Sequence, residues 1–553
     1  MSESEASPNE PWKEEYMAMR LQMNLVTLMG YACSLSALIG LFIAARWIRW
    51  LAVRHQWSRS KSPIAVPFIA FGRLLRKILT WPFPGFPSFG HLNVISCYVG
   101  PNIVLSLYPV NFALPTDLPA RLGWMATANM LIVTFLSLKN TPLALLTEYS
   151  YEQLNCLHRV AGYVTLVQTI LHGSIYSARF LEMGEAAIFQ EQNIIAGIPL
   201  GFATLFTSAA GFFLMRRRYE LFYVIHVALF IVIVVCLGLH RPSFEPDKTL
   251  CVTVIIACIW GADRLIRAGR LVYNGVNNSG TVEALPGGDG GVRILLKKHL
   301  MRARPGKHCY VWVPKVRAFE THPFTIVATN PLELVMSTYS GFTRDLYKQA
   351  ASSPGAELQV SVEGPYGTIP DLMDFHKIVL VAGGAGATFT FGLVNDLLSR
   401  LPENSTKQIE FIWSVRGLEH MSWFTEHLNN LKTHPHAANI TFKIYITRPS
   451  SPPTREKNSE ERDLRGPSSS DDSEREEGTE TAARGQLDIP TTNGRPDIAD
   501  LIKSAVDAVD LEQRVLVAAC GPKGMTKVVR STTARCMTVK GPPVELHIEN
   551  FGW

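Results

Sequence analysis

Residues 153–176, QLNCLHRVAGYVTLVQTILHGSIY, and residues 219–240, YELFYVIHVALFIVIVVCLGLH, are two apolar stretches, each with two histidines fourteen positions apart. A helix that spans a bilayer needs about 20 mostly apolar residues, and both stretches meet that length. The first holds His158 and His172, the second His226 and His240. Fourteen steps of 100° return a side chain to within about 40° of the same helix face, roughly 21 Å further along. Ionisable groups at membrane depth are expensive and mark function. A lone histidine there is more often a hydrogen-bonded helix contact. The repeated spacing on two helices argues against that reading.

Five more apolar runs flank these two, near 27–47, 92–112, 121–138, 194–214 and 249–266. Seven candidate spans thus precede residue 270. The second and third are the weakest, because Pro101, Pro109 and Pro115 interrupt the apolar sequence. Trp81 and the PFPGFP that follows it read as an interfacial loop. Lys and Arg stay cytosolic in short loops. Arg46, Arg49, Arg54, Arg59, Lys61, Arg73, Arg76 and Lys77 follow the first span, Arg216–Arg218 the fifth, and Arg264, Arg267 and Arg270 the seventh. Glu182, Glu185 and Glu191 lie between the fourth and fifth. The expected topology has residues 1–26 outside, seven crossings over 27–268, and the C-terminal half in the cytosol.

Composition agrees. Of 553 residues, 47% are hydrophobic and 18% charged, below the roughly 25% charged of soluble domains. A disordered or purely solvated chain is excluded. A net charge of +6 is too mild to argue for nucleic acid. The nine cysteines are odd in number and form no C-x-x-C pair, so they say little about a disulfide framework. The acidic start MSESEASPNEPWKEEY is neither a cleavable signal nor a transit peptide.

Both histidine-bearing spans run in the same direction under this topology. His158 then faces His226 near the inner leaflet, and His172 faces His240 near the outer one. Two neutral imidazoles on opposite faces of an iron porphyrin make a low-spin haem, a one-electron carrier with no open site. Arg159, Arg241 and Arg216–Arg218 suit haem propionates and equally suit interfacial anchoring.

From about residue 280, short β-branched runs alternate with Gly and Pro turns: VRILLKKHL, HCYVWVP, FTIVAT, LELVMST and ELQVSVEG. They read as antiparallel strands of a small barrel over 280–372. His322-Pro323-Phe324-Thr325 opens one of these strands, some way after the turn Arg304-Pro305-Gly306. A barrel that holds flavin needs a hydroxyl at the isoalloxazine edge, which Thr325 offers, with His322 and Phe324 supporting the ring. Alone, these four letters fit a plain strand end as well.

Past Asp374, the strand candidates KIVLVAGG, QIEFIWSVR, ITFKIYIT and RVLVAACG alternate with helical stretches, the pattern of a parallel α/β sheet over 373–553. Gly383-Gly384-Ala385-Gly386-Ala387-Thr388 and Cys520-Gly521-Pro522-Lys523-Gly524-Met525 are glycine turns at strand ends. Such turns let backbone N–H groups approach a pyrophosphate at a helix start. The first is not G-x-G-x-x-G, so the standard dinucleotide fingerprint fails. Residues 449–496 are rich in Ser, Pro, Glu and Arg with almost no aromatics, and are expected to form a disordered insertion.

Taken together over residues 90–553, the insertion apart, these features resemble the fungal ferric reductases. These ferric-chelate reductases belong to the flavocytochrome superfamily that also holds the superoxide-producing NADPH oxidases. The resemblance implies a multi-domain fold: an all-α transmembrane bundle of about seven helices, then a cytosolic ferredoxin-reductase-like unit. That unit pairs an FAD-binding antiparallel β-barrel with an α/β NADP-binding parallel sheet. His158, His172, His226 and His240 would ligate two b-type haems. His322, Pro323, Phe324 and Thr325 would contact FAD, and Gly383, Gly384, Gly386, Thr388, Cys520, Gly521 and Pro522 would hold NADPH.

The family's W-x-x-R strand end appears as Trp413-Ser414-Val415-Arg416. Arg416 is then the candidate for the 2′-phosphate, since a guanidinium suits bidentate phosphate recognition. Glu549-Asn550-Phe551-Gly552-Trp553 resembles the family's aromatic ending, with Phe551 stacked on the flavin until nicotinamide displaces it. Thr388-Phe389 stands where many relatives have Thr-Pro, which leaves the helix start open. The short N-terminus, without signal peptide or large ectodomain, implies that no extracellular metal-capture region is present.

The implied activity is NADPH-dependent reduction of external Fe(III) chelates or siderophores, Cu(II) included, for metal uptake at the plasma membrane. An iron permease or oxidase would be its partner, with membrane lipid around the bundle and no acid/base residue required. The alternative enzyme is an oxidase that reduces O₂ to superoxide. Both histidine spacings here leave thirteen intervening residues, whereas family oxidases usually shorten the second by one. A membrane cytochrome donating electrons to a partner protein is a third reading, which the intact motifs oppose. A flavin reductase merely anchored by structural helices is a fourth.

Overall fold

The computed structural model describes residues 11–55, 65–147, 149–241, 247–288, 290–448 and 489–549. Among the described residues, nine α-helices form the N-terminal half: α1 (Pro11–Arg54), α2 (Ala65–Thr80), α3 (Phe89–Leu107), α4 (Asp117–Ser137), α5 (Pro142–Thr147), α6 (Tyr151–Glu182), α7 (Gln192–Phe213), α8 (Tyr219–Leu239) and α9 (Asp247–Gly275). Ser150 and Gln153 close a capping box that starts α6. The bundle turns apolar side chains outward, with Leu41, Phe212 and Val224 at 65–68% exposure. Water would penalise that surface and lipid would not.

Helices α1, α7, α8 and α9 are each long and apolar enough to cross a membrane. The others expected to span, α3, α4 and α6, bury polar groups against one another. Asn129 donates to Asn102 at 2.6 Å and to Gln168 at 2.8 Å, and Tyr31 of α1 donates to Asn129 at 2.6 Å. Their partners are inside the bundle, so their low hydropathy does not face lipid.

Two boundaries differ from expectation. Helix α1 begins at Pro11, within the segment expected outside as 1–26, because the stretch to Asn24 is built of good helix formers such as Glu, Met, Ala and Arg. The run expected over 92–112 ends at Leu107, and Pro101 lies inside α3 without ending it.

The middle of the chain forms strands β1 (Ser279–Leu285), β2 (Gly291–Leu296), β3 (His308–Trp312), β4 (His322–Thr329), β5 (Leu332–Ser337), β6 (Glu357–Gln359) and β7 (Ser361–Tyr366), with helix α10 (Phe342–Ser352) after β5. They make one antiparallel sheet in the order β6-β1-β2-β5-β4-β3-β7 around a closed apolar core.

The last part has strands β8 (Lys377–Gly383), β9 (Gln408–Val415), β10 (Ile440–Ile446), β11 (Thr491–Asn493), β12 (Val515–Cys520) and β13 (Val544–Glu549). Helices α11 (Ala387–Leu398), α12 (Thr425–Thr433), α13 (Ile498–Asp507) and α14 (Lys523–Cys536) connect them. The sheet is parallel, ordered β11-β10-β9-β8-β12-β13.

Residues 449–488 of the expected insertion lie outside the described residues. Its tail does not behave as an insertion. Ile489 is 6% exposed in the sheet's core, and β11 pairs with β10. An apolar Ile and β-favouring threonines take the chain back to the sheet edge.

The barrel and the parallel sheet share an apolar core and approach closely along α11. A Cβ on Gly392 of α11 would collide with Gly306, and Arg304 pairs with Asp396 of α11 at 3.1 and 2.8 Å.

Candidate functional site

The four membrane histidines come together in two levels. The ring centres of His158 and His226 lie 6.2 Å apart, and those of His172 and His240 lie 5.9 Å apart. A metal–imidazole bond of about 2 Å on each side, plus the distance from nitrogen to ring centre, sums to roughly 6 Å across one iron. Each level is therefore spaced for a bis-histidine metal. The rings are also oriented by backbone: His158 Nδ1 lies 2.9 Å from the Val133 carbonyl oxygen, His172 Nδ1 2.7 Å from that of Pro119, and His240 Nδ1 2.7 Å from that of Asn193. A carbonyl only accepts, so each Nδ1 carries the proton and each Nε2 is left free for metal.

On the side of the His158/His226 level the barrel docks on the bundle. Arg267 of α9 reaches both carboxylate oxygens of Glu363 in β7 at 3.0–3.1 Å. Tyr366 also donates to Glu363, and Tyr151 of α6 meets Tyr310 of β3. The Lys139 ammonium sits 3.0 Å from the centre of the Tyr310 ring. Burial, with Arg267 adding to it, holds the Lys139 amine well below its ordinary range. Neither Lys139 nor Glu363 was singled out from the sequence, since lone charges in unrelated segments carry no pattern.

His322, Pro323, Phe324 and Thr325 begin β4, as expected of them. His322 stacks on Phe342 at 4.5 Å, and Phe324 lies 6.1 Å from the same ring. Thr325 is on the opposite face, 4% exposed and in register with His308. Phe342, which carries no motif of its own, is the first residue of α10 and is preceded by Gly341 at φ +88°. A Gly just after a strand and before a helical stretch was the available signal. His322, Glu320 and Glu220 of α8 place their ligand atoms within 4.8 Å of one another. Glu220 precedes His226 by six residues on that helix, about 9 Å of rise.

The two glycine turns interlock. They end β8 and β12, adjacent parallel strands at the point where the strand order reverses, the usual crevice for a dinucleotide. A Cβ on Gly386 would collide with the Cys520 carbonyl, and one on Gly383 would meet Pro522 Cδ at 2.6 Å. Gly384 holds φ +56°, and Trp413 Nε1 donates to its carbonyl at 3.1 Å. Helix α11 begins at Ala387 despite Phe389, which is fully buried and stacked on His547. Thr388 is buried, its hydroxyl turned back to the Ala385 carbonyl at 3.0 Å. Burial pushes the Cys520 thiol well above its ordinary range, so this cysteine contributes backbone and volume. Gly521 and Pro522 lead into α14. Arg416 is exposed just past the end of β9, one strand over from β8. Phe551 lies outside the described residues.

The comparisons agree with this order of parts. A family profile described as the ferric reductase like transmembrane component matches residues 122–237, one described as an FAD-binding domain matches 281–369, and one described as the ferric reductase NAD binding domain matches 375–534. A probable ferric reductase transmembrane component of Candida albicans is 25% identical over 453 residues, covering 78% of this chain and 64% of that protein. A probable cell surface ferric reductase of Aspergillus oryzae is 27% identical over 441 residues (71% and 54%). Ferric reductase transmembrane component 5 of Saccharomyces cerevisiae is 26% identical over 457 residues (78% and 60%). The chain thus spans between about half and two thirds of the length of these curated relatives. With a ferric-reductase-like transmembrane part, an FAD-binding domain and a ferric-reductase NAD-binding domain in this order, the chain is similar to the fungal ferric reductases along most of its length.

Proposed function

We propose that this chain moves electrons from cytosolic NADPH, through FAD and two b-type haems, to Fe(III) chelates or siderophores and Cu(II) outside a plasma membrane. The observation that carries the proposal is the pair of histidine levels at 6.2 and 5.9 Å, fourteen residues apart on α6 and on α8. Electrons must cross about 30 Å of hydrocarbon, and two levels separated by about 21 Å divide that distance.

When bound, flavin takes a hydride and returns electrons singly, the unit in which haem carries them. The protein's share is placement. The interlocked turns at Gly383–Gly386 and Cys520–Pro522 offer backbone donors and two helix starts to a pyrophosphate. Arg416 recognises the 2′-phosphate that distinguishes NADPH from NADH. His322 and Phe324 line the flavin strand, and Glu220 lies close to His322 where that strand approaches the helix of His226. His158 and His226 hold the inner haem, His172 and His240 the outer.

Replacing His172 with Ala should abolish external ferric reduction while NADPH-dependent flavin reduction continues. External reduction at the wild-type rate would refute the outer role. Measuring Fe(III) reduction and superoxide output together in cells expressing the chain separates the reductase from the oxidase, and superoxide output equal to the electron flux would favour the oxidase.

A further inference from the structure

The backbone carbonyls beside the histidines follow a ruler of their own. On α4 the acceptors are Pro119, for His172, and Val133, for His158. On α7 the acceptor is Asn193, for His240, and His226 addresses the backbone of Thr207, although its Nδ1 falls short of a full hydrogen bond. Pro119 and Val133 are fourteen residues apart, and so are Asn193 and Thr207. Each histidine helix thus packs on a carbonyl helix of matching period, α6 on α4 and α8 on α7, one hairpin-like unit used twice.

At the outer level each carbonyl is followed four residues later by a glycine, Gly123 after Pro119 and Gly197 after Asn193. Four residues is about one turn, so glycine and carbonyl share a helix face. A Cβ on Gly123 would lie 2.7 Å from Cε1 and 2.8 Å from Nδ1 of His172, and one on Gly197 would lie 2.8 Å from the same two atoms of His240. The inner level has no such demand: Ser137 follows Val133, and a Cβ on Gly211 would meet only Phe222, at 3.8 Å.

We infer that α4 and α7 are the positioning helices of the two haem levels, and that Gly123 and Gly197 are positioning residues specific to the outer one. The carbonyl fixes which nitrogen keeps the proton, and the missing side chain lets the ring reach that carbonyl with Nε2 aimed at the opposite imidazole. This rests on the bis-histidine reading proposed above.

The test uses the full chain purified in detergent. Haem per protein is counted as the pyridine adduct, and each low-spin centre is read by electron paramagnetic resonance. Gly123→Ala and Gly197→Ala should each fall from two haems per chain to about one, losing one low-spin signal and keeping the other. Gly201→Ala, one turn along α7 with open space at its Cβ, should keep both. Two haems with wild-type signals in both variants would overturn the inference. Loss of both haems in either variant would overturn the claim that each glycine serves the outer level alone. A wild-type chain without two low-spin haems would sink the bis-histidine reading instead.

Discussion

Replacing Arg267 with Met should loosen the flavin barrel from the membrane helices. Arg267 and Glu363 are 12% and 2% exposed, and the guanidinium reaches both carboxylate oxygens. Breaking a buried pair by removing one partner costs about 3–5 kcal/mol, because the remaining charge stays buried without compensation. The slight exposure of Arg267 and the hydrogen bond from Tyr366 to Glu363 place this case near about 3 kcal/mol. At about 1.4 kcal/mol per tenfold, that is roughly a hundredfold rise in local opening. Two neighbouring ties survive the substitution, Asn274 to the Val362 carbonyl at 2.7 Å and Ser361 to the Leu271 carbonyl at 2.5 Å. The effect should therefore stay at the contact of β7 with α9. Amide hydrogen exchange on the full chain in detergent reads it in the segment 361–366. Arg267→Met and Glu363→Gln should each speed exchange there, and the double variant should cost clearly less than the two singles added. Exchange in Arg267→Met within about threefold of wild type, under roughly 0.7 kcal/mol, would refute the clamp.

Arg416→Ala should narrow the preference for NADPH over NADH by roughly tenfold or more, the value of a charge-assisted contact; an unchanged ratio of kcat/KM values removes its phosphate role. Gly386→Ala should raise the KM for NADPH by roughly tenfold, because the new methyl collides with the Cys520 carbonyl and must part the two turns. A KM within twofold of wild type would show that the turns are not coupled. Glu545 accepts from Arg76 of α2 at 3.1 Å and from Arg514 at 2.7 Å. Burial pushes its carboxyl up, but the two guanidiniums outweigh burial and hold it at about 2. A lowered folded value means the stabilisation is complete above the ordinary value of about 4.3 and drains only as pH falls towards 2. Docking of the parallel sheet on α2 should then be flat from pH 6 to 8, and Glu545→Gln should loosen it throughout; hydrogen exchange along residues 73–80 checks both, and unchanged exchange in the variant refutes the tie.

What the sequence made legible follows from periodicity. The fourteen-residue histidine spacing is a property of one helix, visible in a single line of residues, and so were the β8, β9, β10 and β12 runs, which are apolar because both faces are covered. Strand β11 escaped because its residues Thr491, Thr492 and Asn493 are exposed at the sheet edge and match a polar insertion in composition. Strand β13, VELHIE, escaped because Glu545 and His547 break its apolar run, and Glu545 is there to meet Arg76, 469 residues away in the chain. Hydropathy likewise undersells α3, α4 and α6, since Asn102, Asn129 and Gln168 satisfy one another inside the bundle.

The deepest omission has a different cause. Every residue but proline brings the same N–H and every residue the same C=O, so a carbonyl chosen to orient an imidazole leaves no letter behind. Pro119, Val133 and Asn193 share no chemistry except that oxygen. Only the glycines, where a ring comes too close for a methyl group, print the outer half of that choice into the sequence. Gly123 and Gly197 gain meaning once the two histidines that occupy the vacated space are known. The pairing of the histidine side chains was legible from spacing; the backbone carbonyls beside them become legible only through what they forbid.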